Sequence, residues 1–131
     1  MSRKVQDLQS LSRAGFRLWV DDDLKFVIVE GVRLPPGYDR SNIPVLIELP
    51  SNYPSTPPGI GSNRIYVPRG LRYRSQELCD VHEGTPPNFQ TPGWGEWSWL
   101  CYERIVWNSC RDDLITLIET LRADLTYPNT E

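Results

Sequence analysis

The sequence predicts an α+β domain: an antiparallel β-meander of about four strands, with one helix before it and one C-terminal helix packed on the sheet. Three observations carry this. Apolar residues alternate in three runs between positions 16 and 49, an apolar stripe of helical period covers 111–125, and Tyr53-Pro54-x-x-Pro57-Pro58 ends the meander abruptly. Prolines fix φ and remove amide donors, so that turn stops a strand and sends the chain across a surface rather than into another ladder. At 131 residues the chain can bury a real core, and 1–131 is read as a single domain.

Residues 3–12 set Val5, Leu8 and Leu11 at near-helical spacing among polar side chains, which predicts a short N-terminal helix. Gly15 ends it. Phe16, Leu18 and Val20 then alternate with Arg17 and Trp19, as a strand with one buried face does. Asp21-Asp22-Asp23 reads as a turn, because short carboxylates accept hydrogen bonds from nearby backbone amides. The spaced ligands of a calcium loop are missing there. Residues 24–29 complete a hairpin, and 31–42, carrying Pro35-Pro36-Gly37, form a loop that reverses the chain. Val45, Ile47 and Leu49 alternate with Leu46 and Glu48 in a third strand that stops at Pro50.

The cover for this sheet lies at 111–125, where Leu114, Leu117, Ile118, Leu121 and Leu125 share one stripe. Asn108 or Ser109 is the expected N-cap, Asp112 and Asp113 suit the positive end of the helix dipole, and Pro128 follows the last turn.

A net charge of −3 and a pI near 5.2 argue against a nucleic-acid footprint, which needs clustered Lys and Arg in excess. Arg64, Arg69, Arg72 and Arg74 cluster locally and read as a solvated loop or strand face. No nucleic-acid partner is expected. No apolar run approaches the roughly 18 residues of a membrane span, and the first residues lack a signal peptide's apolar stretch, so a cytosolic protein without a membrane partner is expected. Three cysteines in a chain without secretory marks argue for reduced thiols, each of them buried filler, metal ligand or nucleophile.

The connection from Pro58 to the second helix holds only one expected short strand, at 64–67, yet it carries all three cysteines, the only histidine and four of the five tryptophans. Connections of such length inside a compact domain tend to be functional. Trp94, Trp97 and Trp99 are expected to pack a compact lobe rather than form an exposed platform.

A meander ending in Tyr53-Pro54-x-x-Pro57-Pro58, followed by Arg64-Ile65-Tyr66-x-Pro68, then an apolar residue with cysteine, then Trp107 and an amphipathic helix, resembles the ubiquitin-conjugating enzymes, particularly their divergent bacterial relatives. The order of these features covers nearly the whole chain. The resemblance implies a UBC-like fold and a thiol that accepts the C-terminus of a ubiquitin-like protein from an activating enzyme and passes it to an amine of a protein target. It implies no cofactor or metal of the chain's own, since the ATP chemistry belongs to the activating enzyme.

Two cysteines compete for that role. Leu100-Cys101-Tyr102-Glu103-Arg104-Ile105 followed by Trp107 resembles the family's pattern around the nucleophile, and Cys101 is favoured. Cys79, in Leu78-Cys79-Asp80-Val81, matches the family's interval from the prolines and is the alternative. Cys110 reads as a small residue of the helix's first turn. The family's His-Pro-Asn appears here as Val67-Pro68-Arg69, so the asparagine associated with the oxyanion is missing from its place. Asn88 and Asn108 are candidate substitutes, with His82 a further candidate supporting group that is otherwise a solvated loop histidine. Cys79, His82, Cys101 and Cys110 also admit a zinc site, although Cys-x-x-His lacks the paired Cys-x-x-Cys knuckle. The missing asparagine leaves open an inactive variant that binds or scaffolds a ubiquitin-like protein system.

Overall fold

A computed structural model of the chain describes residues 2–59, 64–78, 81–82, 97–101 and 107–126. Helix α1 spans Arg3–Arg13, its first turn capped by the Ser2 hydroxyl, which accepts the Val5 N–H. Strands β1 (Arg17–Val20) and β2 (Phe26–Arg33) pair antiparallel, with Trp19 opposite Ile28. β2 starts two residues later than predicted, at Phe26 rather than residue 24, for a local reason. Asp21 Oδ1 accepts the Lys25 N–H at 2.6 Å and the Phe26 N–H at 3.2 Å, holding those amides in the turn.

The expected loop at 31–42 is shorter than its composition suggests. β2 continues to Arg33 and β3 begins at Asn42, running to Glu48, with a register shift between Val29 and Val32. Gly31, at φ 77°, sits in that irregularity and lets the strand pass through a bulge instead of ending. Gly37 is fixed by contact as well as conformation. A Cβ there would lie 2.7 Å from the Tyr73 ring, and the backbone carbonyl accepts the Arg74 N–H at 2.7 Å.

β4 (Arg64–Pro68) is the predicted short strand, and it pairs with β3 through Leu46–Tyr66 and Ile47–Ile65. Three further strands were not anticipated. β5 (Arg72–Tyr73) and β6 (Gln76–Glu77) form a small hairpin, and β7 (Trp97–Cys101) pairs with β4 to complete a five-stranded antiparallel sheet in the order β1-β2-β3-β4-β7. Proline and glycine hide β7 in the sequence, but Trp97-Ser98-Trp99-Leu100-Cys101 alternates as a strand should.

Helix α2 (Leu114–Asp124) is the predicted cover, three residues shorter at its start. Asp113, rather than Asn108 or Ser109, is its N-cap, accepting the Thr116 N–H at 2.9 Å. At the other end the Tyr38 hydroxyl donates to the Leu125 carbonyl at 2.6 Å, satisfying one of the acceptors a helix terminus leaves open.

The sheet has two unlike faces. Val27, Val29, Val45, Ile47, Ile65, Val67 and Leu100 pack on Leu8 and Leu11 of α1 and on Leu114, Leu117, Ile118 and Leu121 of α2. Each such enclosed aliphatic side chain contributes about 1.5–3 kcal/mol. The opposite face carries a smaller, aromatic cluster of Phe26, Ile28, Leu46, Tyr66 and Trp97, with Trp99 against it.

Candidate active site

Strand β7 fixes the geometry around the favoured cysteine. Its alternation sends Ser98 and Leu100 toward the helices and sets Trp97, Trp99 and Cys101 on the aromatic face. The Trp99 backbone is bonded outward, not to β4: its N–H donates to the His82 carbonyl at 2.8 Å and its carbonyl accepts the His82 N–H at 2.7 Å. Trp99 and its opposite residue Tyr66 are therefore a non-hydrogen-bonded pair, and so, two residues on, are Cys101 and Arg64. Side chains lie closest in such pairs, with Cβ atoms about 4.5–5.5 Å apart.

Arg64 is held tightly. Its guanidinium carbon is 4.3 Å from the centre of the Trp99 ring, and Nη1 donates to the Tyr66 hydroxyl at 3.3 Å. Arg69, Arg72 and Arg74 lie on the expected solvated face, but Arg64 is partly buried, which corrects its reading as a surface charge. Burial raises the Tyr66 phenol above the ordinary tyrosine range, and Arg64 opposes the shift. The His82 ring, exposed, stands 4.6 Å from the Trp99 ring. Cys101 is half-buried.

The remaining candidates lie elsewhere or outside the described residues. Asn108 belongs to the turn that enters α2: its Oδ1 accepts the Cys110 N–H at 2.9 Å, and its own N–H donates to Asp112 Oδ2 at 2.7 Å. Cys110 is exposed on that turn. Trp107, the expected neighbour of the nucleophile, packs on the helix-side core and donates its indole N–H to the Pro54 carbonyl, whereas Cys101 occupies the other face of the sheet. Cys79 and Asn88 are outside the described residues. Leu78, next to Cys79 in sequence, lines a cavity of about 170 Å³ on the helix side of β7, together with Gly70, Leu71, Arg72, Glu77, Val81 and Ser98. That is well below the roughly 300–1,000 Å³ of small-molecule sites. Among the described residues no group of three or more His, Cys, Asp or Glu side chains could hold a metal ion.

The family model described as prokaryotic E2 family E matches residues 4–127. The chain belongs to this family. No curated protein and no solved structure matches it. As a prokaryotic E2-family protein it has the α+β arrangement that its resemblance to ubiquitin-conjugating enzymes implies, with a helix before the antiparallel sheet and a helix packed upon it. Family membership also gives its broad biochemical class, an E2-like carrier whose general partners are an activating enzyme and a ubiquitin-like protein. Among the described residues of this E2-family chain no helix is long and apolar enough to cross a membrane.

Arg64, Tyr66 and Trp99 were not among the site residues that the sequence suggested. Their signal was present in Arg64-Ile65-Tyr66, which puts an arginine and a tyrosine on one strand face. It could be read only with β7 and its register known.

Proposed function

We propose that this E2-family protein accepts the C-terminus of a ubiquitin-like protein on Cys101 as a thioester and transfers it to an amine of a protein target. The observation that carries the reading is the pairing of a half-buried thiol at the end of β7 with an arginine directly opposite on β4. The Cys101 thiolate attacks the thioester delivered by the activating enzyme, the new C–S bond forms as the donor thiol leaves, and the acyl group is then taken by a lysine amine. The β4–β7 pairing fixes the backbone at Cys101, which supports this reading because such a step requires a defined approach to the sulfur.

The test is charging in the presence of ATP with a prokaryotic activating enzyme and ubiquitin-like protein, sought first among the gene's coding neighbours. A thiol-reducible adduct that Cys101→Ala abolishes and Cys79→Ala retains supports this reading. An adduct abolished only by Cys79→Ala moves the acceptor to the alternative cysteine.

A non-catalytic reading has one specific observation in its favour. Pro68 ends β4 and the exposed Arg69 follows it, so no side-chain amide occupies the family's asparagine position. Binding of the ubiquitin-like protein without any adduct, unchanged by substitution of all three cysteines, selects a scaffold over an enzyme.

A further inference from the structure

The aromatic face of the sheet holds a partly buried cation with one donor unmet. Arg64 makes no ion pair among the described residues, and its Nε–H is buried without a hydrogen-bond partner. The Trp99 ring and the Tyr66 hydroxyl are its contacts, and the nearby buried carboxylate of Glu48 bears on the Tyr66 phenol from the adjoining strand. Removing a guanidinium from water and leaving a donor unmet is costly unless an anion completes the site. The residue facing Arg64 across the non-hydrogen-bonded pair is Cys101.

Resting on the reading that Cys101 carries the acyl group, we propose that Arg64 stabilises the oxyanion formed there, the task the family's asparagine would otherwise perform. When the Cys101 thiolate adds to the thioester carbon, the carbonyl π pair moves to oxygen, and that oxygen accepts from the guanidinium. Collapse restores the carbonyl and expels the donor thiolate. The same oxyanion returns when the amine nitrogen adds. The C–N bond then replaces the C–S bond, Cys101 leaves as thiolate, and the ammonium proton passes to water. Arg64 suits this step because a guanidinium presents several N–H donors in a fixed fork and this one is oriented beforehand by Trp99 and Tyr66. An interaction gained only as charge develops accelerates the chemistry rather than tightening the ground state.

The test uses N-acetylglycylglycine thiophenyl ester, which acylates thiols without an activating enzyme. Acylation and discharge to free lysine are followed by mass spectrometry on the Cys101 peptide, with the Cys110 peptide as internal reference. Arg64→Gln is expected to slow both steps at Cys101 by about 10²-fold, with Arg64→Lys recovering most of the rate and Cys110 unaffected. Alkylation of Cys101 by iodoacetamide, which forms no oxyanion, should change less than about threefold beside that 10²-fold effect. Unchanged acylation and discharge overturn the assignment, and so does an equal loss of alkylation, which would mark a packing role. If Arg64→Gln fails to fold, Arg64→Met, whose stem keeps the contact with Trp99, is read by the same criteria. The probe bypasses the activating enzyme, so this result stands apart from charging: an adduct found only on Cys79 overturns the acceptor reading, whereas an unchanged rate at Cys101 overturns the role of Arg64.

Discussion

Trp107 donates its indole N–H to the Pro54 carbonyl at 2.8 Å, and its ring lies 5.8 Å from that of Tyr53. The proline turn that ends the meander is thereby tied to the residue that leads into α2, so the turn and the helical cover act as one unit. Trp107→Phe should keep the ring contact and lose the bond, lowering stability by about 0.5–1.5 kcal/mol. Urea unfolding, with the midpoint and slope fitted separately, checks this. A loss of several kcal/mol would show that ring shape, not the hydrogen bond, dominates.

A second tie runs through Asp7. Its carboxylate accepts from Arg3 Nε at 3.0 Å and from the Tyr53 hydroxyl, while Arg3 Nη1 and Nη2 donate to the Ser109 and Asp112 carbonyls at 2.8 and 2.6 Å. α1, the proline turn and the entry to α2 thus meet on one buried carboxylate. In a double-mutant cycle of Asp7→Asn and Tyr53→Phe the two changes should couple by about 0.5–3 kcal/mol. Additive losses would mean that each side chain acts alone.

The helices and first three strands were legible from apolar period and turn punctuation, although β2 and β3 are covered on both faces along Phe26–Val29 and Val45–Ile47. Leu114, Leu117, Ile118 and Leu121 needed only the helical repeat to be placed, and all four are buried. The cap of α2 is not legible in the sequence because several polar residues compete before it. Asn108 and Asp112 close a turn on each other's amides, which leaves Asp113 to cap. Cys101 could be nominated from its local pattern, but its surroundings could not. They depend on β7 lying beside β4, a pairing set by tertiary register and interrupted in sequence by the β5–β6 hairpin. The same long-range pairing takes Arg64 off the solvated face that its arginine-rich neighbourhood suggested.

Alkaline pH should destabilise the fold through its tyrosines. Burial holds the Tyr38, Tyr53 and Tyr66 phenols above the ordinary tyrosine range, with the hydrogen bond to Asp7 adding to the effect at Tyr53. The unfolded phenols titrate near 10, so above that pH the native state binds more protons than the unfolded state and stability falls as pH rises. Below about 10 this contribution is fully present. Urea midpoints measured from pH 8 to 11.5 should be level at first and then fall, within the range where urea alone is in control of unfolding. A Tyr38→Phe, Tyr53→Phe variant should start lower, having lost the bonds to the Leu125 carbonyl and to Asp7, yet fall less steeply. An equal slope would assign the alkaline loss to other groups.

The described cysteines should separate by reactivity and by consequence. Cys110 is exposed on a turn that its side chain does not hold together: the turn closes through the Cys110 backbone N–H and the Asn108 side chain. Cys101 is half-buried on the aromatic face, beside Trp99 and opposite Arg64. Brief treatment of the folded protein with iodoacetamide should therefore label Cys110 before Cys101, as read by peptide mass spectrometry. Cys110→Ser should shift stability by less than about 0.5 kcal/mol, because a surface residue away from a cap or core contact rarely does more. It should also leave enzymatic charging intact, whereas Cys101→Ser should replace the reducible adduct with one that resists thiols, an oxygen ester in place of the thioester. A reducible adduct surviving in Cys101→Ser and lost in Cys110→Ser would assign the acceptor to the entrance of α2 instead.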